Sequence, residues 1–188
     1  MLFEIPELGR YVWISAFDDR PSDVTQILDD ASKKFPGTCV QLVDLEKVAG
    51  SRFLFVATYN ALKSFNSKHR ISRSLAMEIL LYVSANRQIA EALARVGVTS
   101  ETEKIAALVV GSVAEEVSAT GTFLGNAIKR ANADRLLDEW SDARIRNVRA
   151  SLDIRDKELN AILEEDEESV KGIERLAIER SALLAVKK

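Results

Sequence analysis

"RYVWISAFDDRPSDVTQILDDASKKFPGTCVQLVD", residues 10–44, decides the fold class. Its first eight residues, Arg10–Phe17, are rich in β-branched and aromatic side chains, with apolar groups on both faces, and read as a strand inside a sheet. After "DDRP", Ser22 has the chemistry of an N-cap, and Val24, Ile27, Leu28 and Ala31 recur at helical spacing until Phe35-Pro36-Gly37 stops the helix. "TCVQLVD", Thr38–Asp44, has the length and composition of a second strand. Helix-linked strands of this kind predict a layered α/β arrangement rather than a bundle.

The pattern continues downstream. "IAALVVG", Ile105–Gly111, is short and apolar throughout, as a strand buried on both faces should be. "SRFLFVATYNALKSF", Ser51–Phe65, has strand propensity at Phe53–Val56, but Leu54, Ala57, Ala61 and Phe65 share one helical face, so it reads as a helix. Ser72 or Ser74 caps the next helix, in which only Glu78 interrupts "LAMEILLYV". Ser84 is a candidate cap for its successor, where Ile89, Ala92, Leu93 and Val96 recur at helical spacing before Gly97. From Ser112 to Asp138 the boundaries stay open, because Gly121 and Gly125 weaken any helix there. Ser141 caps a helix with Ile145, Val148 and Leu152 on one face; a last helix with Val170, Ile173, Ala177 and Leu184 follows the acidic run Glu164–Glu168, which reads as a solvated loop. The chain as a whole, residues 1–188, is expected to form one helix-rich α/β domain with a small mixed sheet of three to four strands.

Composition excludes several classes. A lone Cys39 cannot form an internal disulfide, and "MLFEIPELGR" lacks the basic start and apolar core of a secretory signal, so a cytoplasmic location is expected. Glu78, Asn86 and Arg87 break the most apolar stretch well before the ~18 residues a membrane span needs, so no membrane partner is expected. His69 is the only histidine, which excludes a histidine-rich metal site and leaves a Ser-His-Asp triad only one possible centre; no metal or cofactor is expected. There is no phosphate-binding GxxxxGK[ST] motif, and Cys39 lies inside a strand segment as a small core residue. Enzyme activity is therefore not expected, with a hydrolase or transferase built around His69 as the competing reading.

Charge is unevenly distributed. Net charge is −3, yet the 31 residues from Lys47 to Met77 contain no acid and six cations: Lys47, Arg52, Lys63, Lys68, Arg70 and Arg73. Two readings stand, a solvated helix end and a patch for phosphates. Directly after it, eight of the nine residues Leu75–Val83 are apolar. One buried stripe needs only about 100° of a helix. The second face, with Met77, Leu80 and Leu81, belongs either to the core or to a partner interface.

The run "ISRSLAMEILLYVSANRQIAEALARVGV", residues 71–98, with its serine-capped start, Glu-Ile-Leu-Leu-Tyr core, Arg-Gln-Ile and Ala-Leu before Gly, resembles the small accessory subunits of the KEOPS tRNA-modification complex, the PRPK-binding protein family. "NALKSF" (Asn60–Phe65) and the closing "ERSALLAVK" (Glu179–Lys187) extend the resemblance over nearly the whole chain. It implies a non-catalytic subunit that binds the complex's kinase/ATPase subunit, works indirectly with the other KEOPS subunits, and grips the 3′ CCA end of tRNA during threonylcarbamoyl adenosine (t6A) formation. On that basis Lys63, Lys68, His69, Arg70, Arg73 and Arg87 are RNA-binding candidates, with Tyr59 either a base-stacking surface or core. Met77, Leu80 and Leu81 are the partner-binding candidates. A protein-binding adaptor without RNA contact is the alternative.

Overall fold

A computed structural model of the chain describes residues 1–129, 133–163 and 168–186. Four strands form one sheet: β1 (Leu2–Ile5), β2 (Arg10–Phe17), β3 (Thr38–Asp44) and β4 (Ile105–Gly111), in the order β1-β2-β4-β3. Every pairing is antiparallel rather than mixed, because β4 sits between β2 and β3 and runs against both. The α/β class and strand number are as the sequence indicates. The strand it does not reveal is β1, four residues long and carrying Glu4 outward.

Period-two alternation divides the core between the two faces. Ala106, Leu108 and Val110 of β4 join Val12, Ile14 and Ala16 of β2 in the larger cluster, whereas Ile105, Ala107 and Val109 join Trp13 and Phe17 in the smaller. Helices α1 (Val24–Lys34) and α5 (Ala114–Ile128) cover the smaller cluster. Over the other face lie α2 (Ser51–Phe65), α3 (Leu75–Ser84), α4 (Ile89–Val96), α6 (Asp142–Ser151), α7 (Asp156–Ile162) and α8 (Ser169–Leu183).

Local capping chemistry refines several boundaries. Asp23, not Ser22, caps α1, its carboxylate accepting the Gln26 N–H at 2.9 Å. Ser74 precedes α3 and Ser141 caps α6 by accepting from the Arg144 N–H. Ser84 belongs to the last turn of α3, where its hydroxyl donates to the Leu81 carbonyl, and Gln88 precedes α4 instead. Helix α5 runs straight through Gly121 and Gly125. At Gly121 a Cβ would lie 2.6 Å from the Trp13 ring, so close packing on the sheet requires the residue that helix propensity disfavours. Of the acidic run, Glu164–Glu167 lie outside the described residues, as does Lys187 at the end of the closing motif.

The second face of α3, open in the sequence between core and partner, is core. Helix α3 packs against α2, α4, α8 and β3, so the chain itself covers both its faces. Leu80 and Leu81 are fully buried and have no side-chain surface to offer a partner; Met77 is half-buried against the same core. Helix α4 shows the reverse. Its Ala92 and Val96 are buried, but Ile89 and Leu93, one turn apart on the neighbouring stripe, are 43% and 45% exposed.

Arg144 is a further feature hidden from the sequence. Only 2% exposed, it donates through Nη1 to the carbonyls of Leu136 and Glu139 and through Nη2 to those of Val48 and Leu137, at 2.6–3.0 Å. Its ring partner is Trp140, 5.1 Å from the guanidinium carbon to the centroid. Burial pulls its pKa down, partly offset by Glu46, Asp138 and Glu139.

Candidate nucleic-acid interface

The basic residues are presented by a loop, residues 66–74, between the end of α2 and the start of α3. Lacking regular secondary structure, this loop satisfies its backbone through side chains. Ser67 donates its hydroxyl to the Ser64 carbonyl at 2.8 Å and accepts the His69 N–H at 3.0 Å. Ser72 accepts the Ser74 N–H at 3.1 Å.

The main anchor is Glu78. The acid that interrupts the apolar helix is fully buried, and its carboxylate points back beneath the loop. It accepts the Ser64 hydroxyl at 2.7 Å, the Ile71 N–H at 3.1 and 3.2 Å, and the Ser72 N–H at 2.7 Å. One buried anion thus ties the end of α2 and two loop amides to α3, and leaves Lys68, His69, Arg70 and Arg73 all exposed. Charge-assisted bonds of this kind are the strong ones in a low-dielectric interior.

Beside the loop opens a cleft of about 240 Å³, lined by Asn60, Lys63, Ser64, Ser67, His69, Tyr82 and Ala185. Lys63 and His69 therefore come together in one concavity. Asn60, one of the lining residues, holds its side-chain Nδ2 buried with no hydrogen-bond partner. Burial raises the Tyr82 phenol's pKa and the Glu78 charge adds to this, while Ser64 and the Arg87 charge work against it. Arg87 itself is exposed and donates to the Leu184 carbonyl at 3.3 Å, so it is held where α3 hands over to α4, beside the end of α8. Arg70 lies with its guanidinium 5.8 Å from the Phe65 ring.

The structure moves Tyr59 away from the site. It lies outside this cleft, its ring carrying the Lys63 ammonium at 5.4 Å and facing a different hollow; Tyr82, the aromatic residue that lines the cleft, keeps its ring in the core and is only 1% exposed. Asn60, Ser64 and Tyr82 were not singled out as site residues by sequence reasoning. Asn60 and Ser64 are one turn apart on α2, a signal that becomes readable once the acid-free segment is known to end that helix.

A family model described as kinase binding protein CGI-121 matches residues 22–185. The chain belongs to this family. Its members' name describes kinase binding, and the match spans all of the chain except β1, β2 and the last residues. Comparison with curated proteins gives no match. No described helix is long and apolar enough to cross a membrane.

Proposed function

We propose that this kinase binding protein is a non-catalytic accessory subunit of the KEOPS complex, which holds the complex's kinase/ATPase subunit and recruits tRNA by its 3′ CCA end for t6A formation. The observation that carries the RNA half is the cleft beside the basic loop. It gathers the Lys63 and His69 side chains for phosphates with the polar groups of Asn60 and Ser67, which can meet the edge of an unstacked base. Lys68, Arg70 and Arg73 flank it on the loop that Glu78 anchors, and Arg87 adds charge from beyond Tyr82.

The kinase-facing surface is assigned to the outer stripe of α4, Ile89 and Leu93, with Leu183 and Val186 at the exposed end of α8. Apolar side chains one turn apart on an exposed helix face are the form that partner-binding helices take. Met77 contributes at most its half-buried edge. On this reading the chemistry of modification resides in other subunits, and His69 contacts phosphate rather than performing proton transfer.

Titrating tRNA binding with salt tests the RNA half. Affinity should fall steeply as salt rises, the double substitution Lys68→Glu with Arg70→Glu should abolish most of it, and tRNA trimmed of its CCA end should bind far less well. Equal binding by the trimmed RNA would refute recognition of the CCA end, and absence of salt-sensitive tRNA binding would leave the adaptor reading, which the exposed α4 stripe favours. For the kinase half, Leu93→Glu should fold normally and fail to co-purify with the kinase.

A further inference from the structure

We propose that the outer edge of β1 and the adjoining side of α2 form a second docking groove, which takes an extended peptide segment alternating apolar and basic residues. The proposal is independent of the RNA cleft. It begins with the sheet order, in which β1 is terminal and pairs only with β2. Met1 and Ile14 exchange backbone bonds, the Ile14 N–H donating to Met1 O at 2.8 Å and the Met1 amine to Ile14 O at 2.7 Å. In an antiparallel ladder such exchanging pairs alternate, so Phe3 with Val12 and Ile5 with Arg10 point their backbone groups inward. The N–H and C=O groups of Leu2 and Glu4 therefore face outward, unclaimed by the sheet.

A hollow of about 280 Å³ runs along this edge, lined by Glu4, Ile5, Glu7 and, from α2, Phe55, Val56 and Tyr59. The Phe3 ring lies 5.0 Å from that of Phe55, packing β1 against α2. Edge strand on one side and helix on the other make the groove in which added strands bind. A segment paired to β1 continues its pleat. Residues opposite Phe3 and Ile5 turn toward Phe55, Val56 and Tyr59 and should be apolar; those opposite Leu2 and Glu4 turn to the other side, beside the Glu4 carboxylate.

Charge chooses among occupants. The lining residues include two carboxylates and no Lys or Arg, and even with the Lys63 ammonium 5.4 Å from the Tyr59 ring the groove stays net negative. A second copy of this chain pairing edge to edge would bring its own Glu4 and Glu7 into the groove, which like-charge repulsion disfavours. A segment from a partner protein with Lys or Arg at alternate positions is complementary.

The test uses a fluorescent, capped peptide of alternating valine and lysine, with a valine–glutamate peptide as control. The valine–lysine peptide should bind and should shift the Leu2 and Glu4 amide resonances, and the glutamate peptide should not. Leu2→Pro removes an outward N–H without touching the β1–β2 ladder, because edge proline is tolerated where its nitrogen faces solvent. It should weaken binding at least about tenfold while leaving the melting temperature unchanged, and Val56→Lys on the helix side should also weaken binding. Equal binding of the two peptides overturns the proposal, as does wild-type binding by Val56→Lys or by folded Leu2→Pro. Dimerisation through this edge in sedimentation would also overturn it.

Discussion

Replacing Glu78 with glutamine keeps the shape of the side chain and removes its charge, which isolates what the buried carboxylate does. Both carboxylate oxygens are in use: one takes the Ser64 hydroxyl and the Ile71 N–H, the other the Ile71 and Ser72 N–H groups. The amide has one favourable orientation. With its carbonyl toward Ile71 and Ser72, both loop amides keep an acceptor, and the Ser64 hydroxyl can turn to accept from the new NH2. The reversed amide would set NH2 against the Ser72 N–H. Even in the better orientation, the bonds from Ile71, Ser72 and Ser64 all fall from charge-assisted to neutral strength. Bonds to charged groups contribute about 1.5–3 kcal/mol against about 0.5–1.5 for neutral ones, so the loss at the two loop amides alone is roughly 2–3 kcal/mol.

That loss should be concentrated in the loop. Hydrogen exchange at the Ile71 and Ser72 amides should accelerate about 30-fold or more, since roughly 1.4 kcal/mol is a factor of ten. The denaturation midpoint should fall as well. For tRNA, affinity should drop while the slope of log affinity against log salt stays at its wild-type value, because no phosphate-contacting cation has been removed. Wild-type exchange rates at Ile71 and Ser72 in Glu78→Gln would refute the reasoning, whatever happens to RNA.

Three other substitutions probe the frame around the site. Arg144→Met keeps apolar bulk but strips donors from four carbonyls, and should cost about 3 kcal/mol or more in urea unfolding. Gly121→Ala should destabilise by about 1–3 kcal/mol despite alanine's better helix propensity, because its Cβ meets the Trp13 ring; a rise in melting temperature would show that α5 can shift away. For Cys39, burial pushes the thiol from 9.0 up to about 12. The unfolded chain therefore releases this proton near 9 and the folded one only near 12, so its contribution is intact below pH 9 and is lost as pH rises between those values. Wild type should lose stability relative to Cys39→Ser over that alkaline window and not below it, and the folded thiol should resist disulfide reagents at pH 8.

Much of the fold was legible because its signals are periodic. Arg10–Phe17, Thr38–Asp44 and Ile105–Gly111 have the same boundaries in the structure as in the sequence reading, and so does the helix Ser51–Phe65. What escaped depends on tertiary contact. Leu2–Ile5 is too short and too polar to alternate visibly, and becomes a strand only because β2 offers it a ladder. Helix α5 survives two glycines because a sheet tryptophan needs the space. The stripe Ile89–Ala92–Leu93–Val96 has helical spacing, yet periodicity alone does not say which half of a wide apolar face is covered. In the site, the loop's cations were visible as an acid-free run, while Asn60 and Tyr82 entered only when α2, α3 and α8 were folded around one cleft.

Glu78 shows why sequence reasoning undervalued the most informative residue. In a list of side chains it is one acid breaking an apolar run, a minor defect in a core helix. An unpaired buried carboxylate would cost several kcal/mol, so its position inside α3 is tolerable only if donors are brought to it. Those donors come from Ser64 at the end of α2 and from Ile71 and Ser72 in the loop. The requirement runs in both directions: the loop amides need an acceptor because they lie outside any helix or sheet, and the carboxylate needs them because it lies outside water. The same anion sits beneath a loop whose cations point to solvent, so it anchors the positive surface without facing an incoming phosphate. An apolar residue at position 78 would suit the helix and release the loop, which is why the interruption and the basic patch are one feature of the fold.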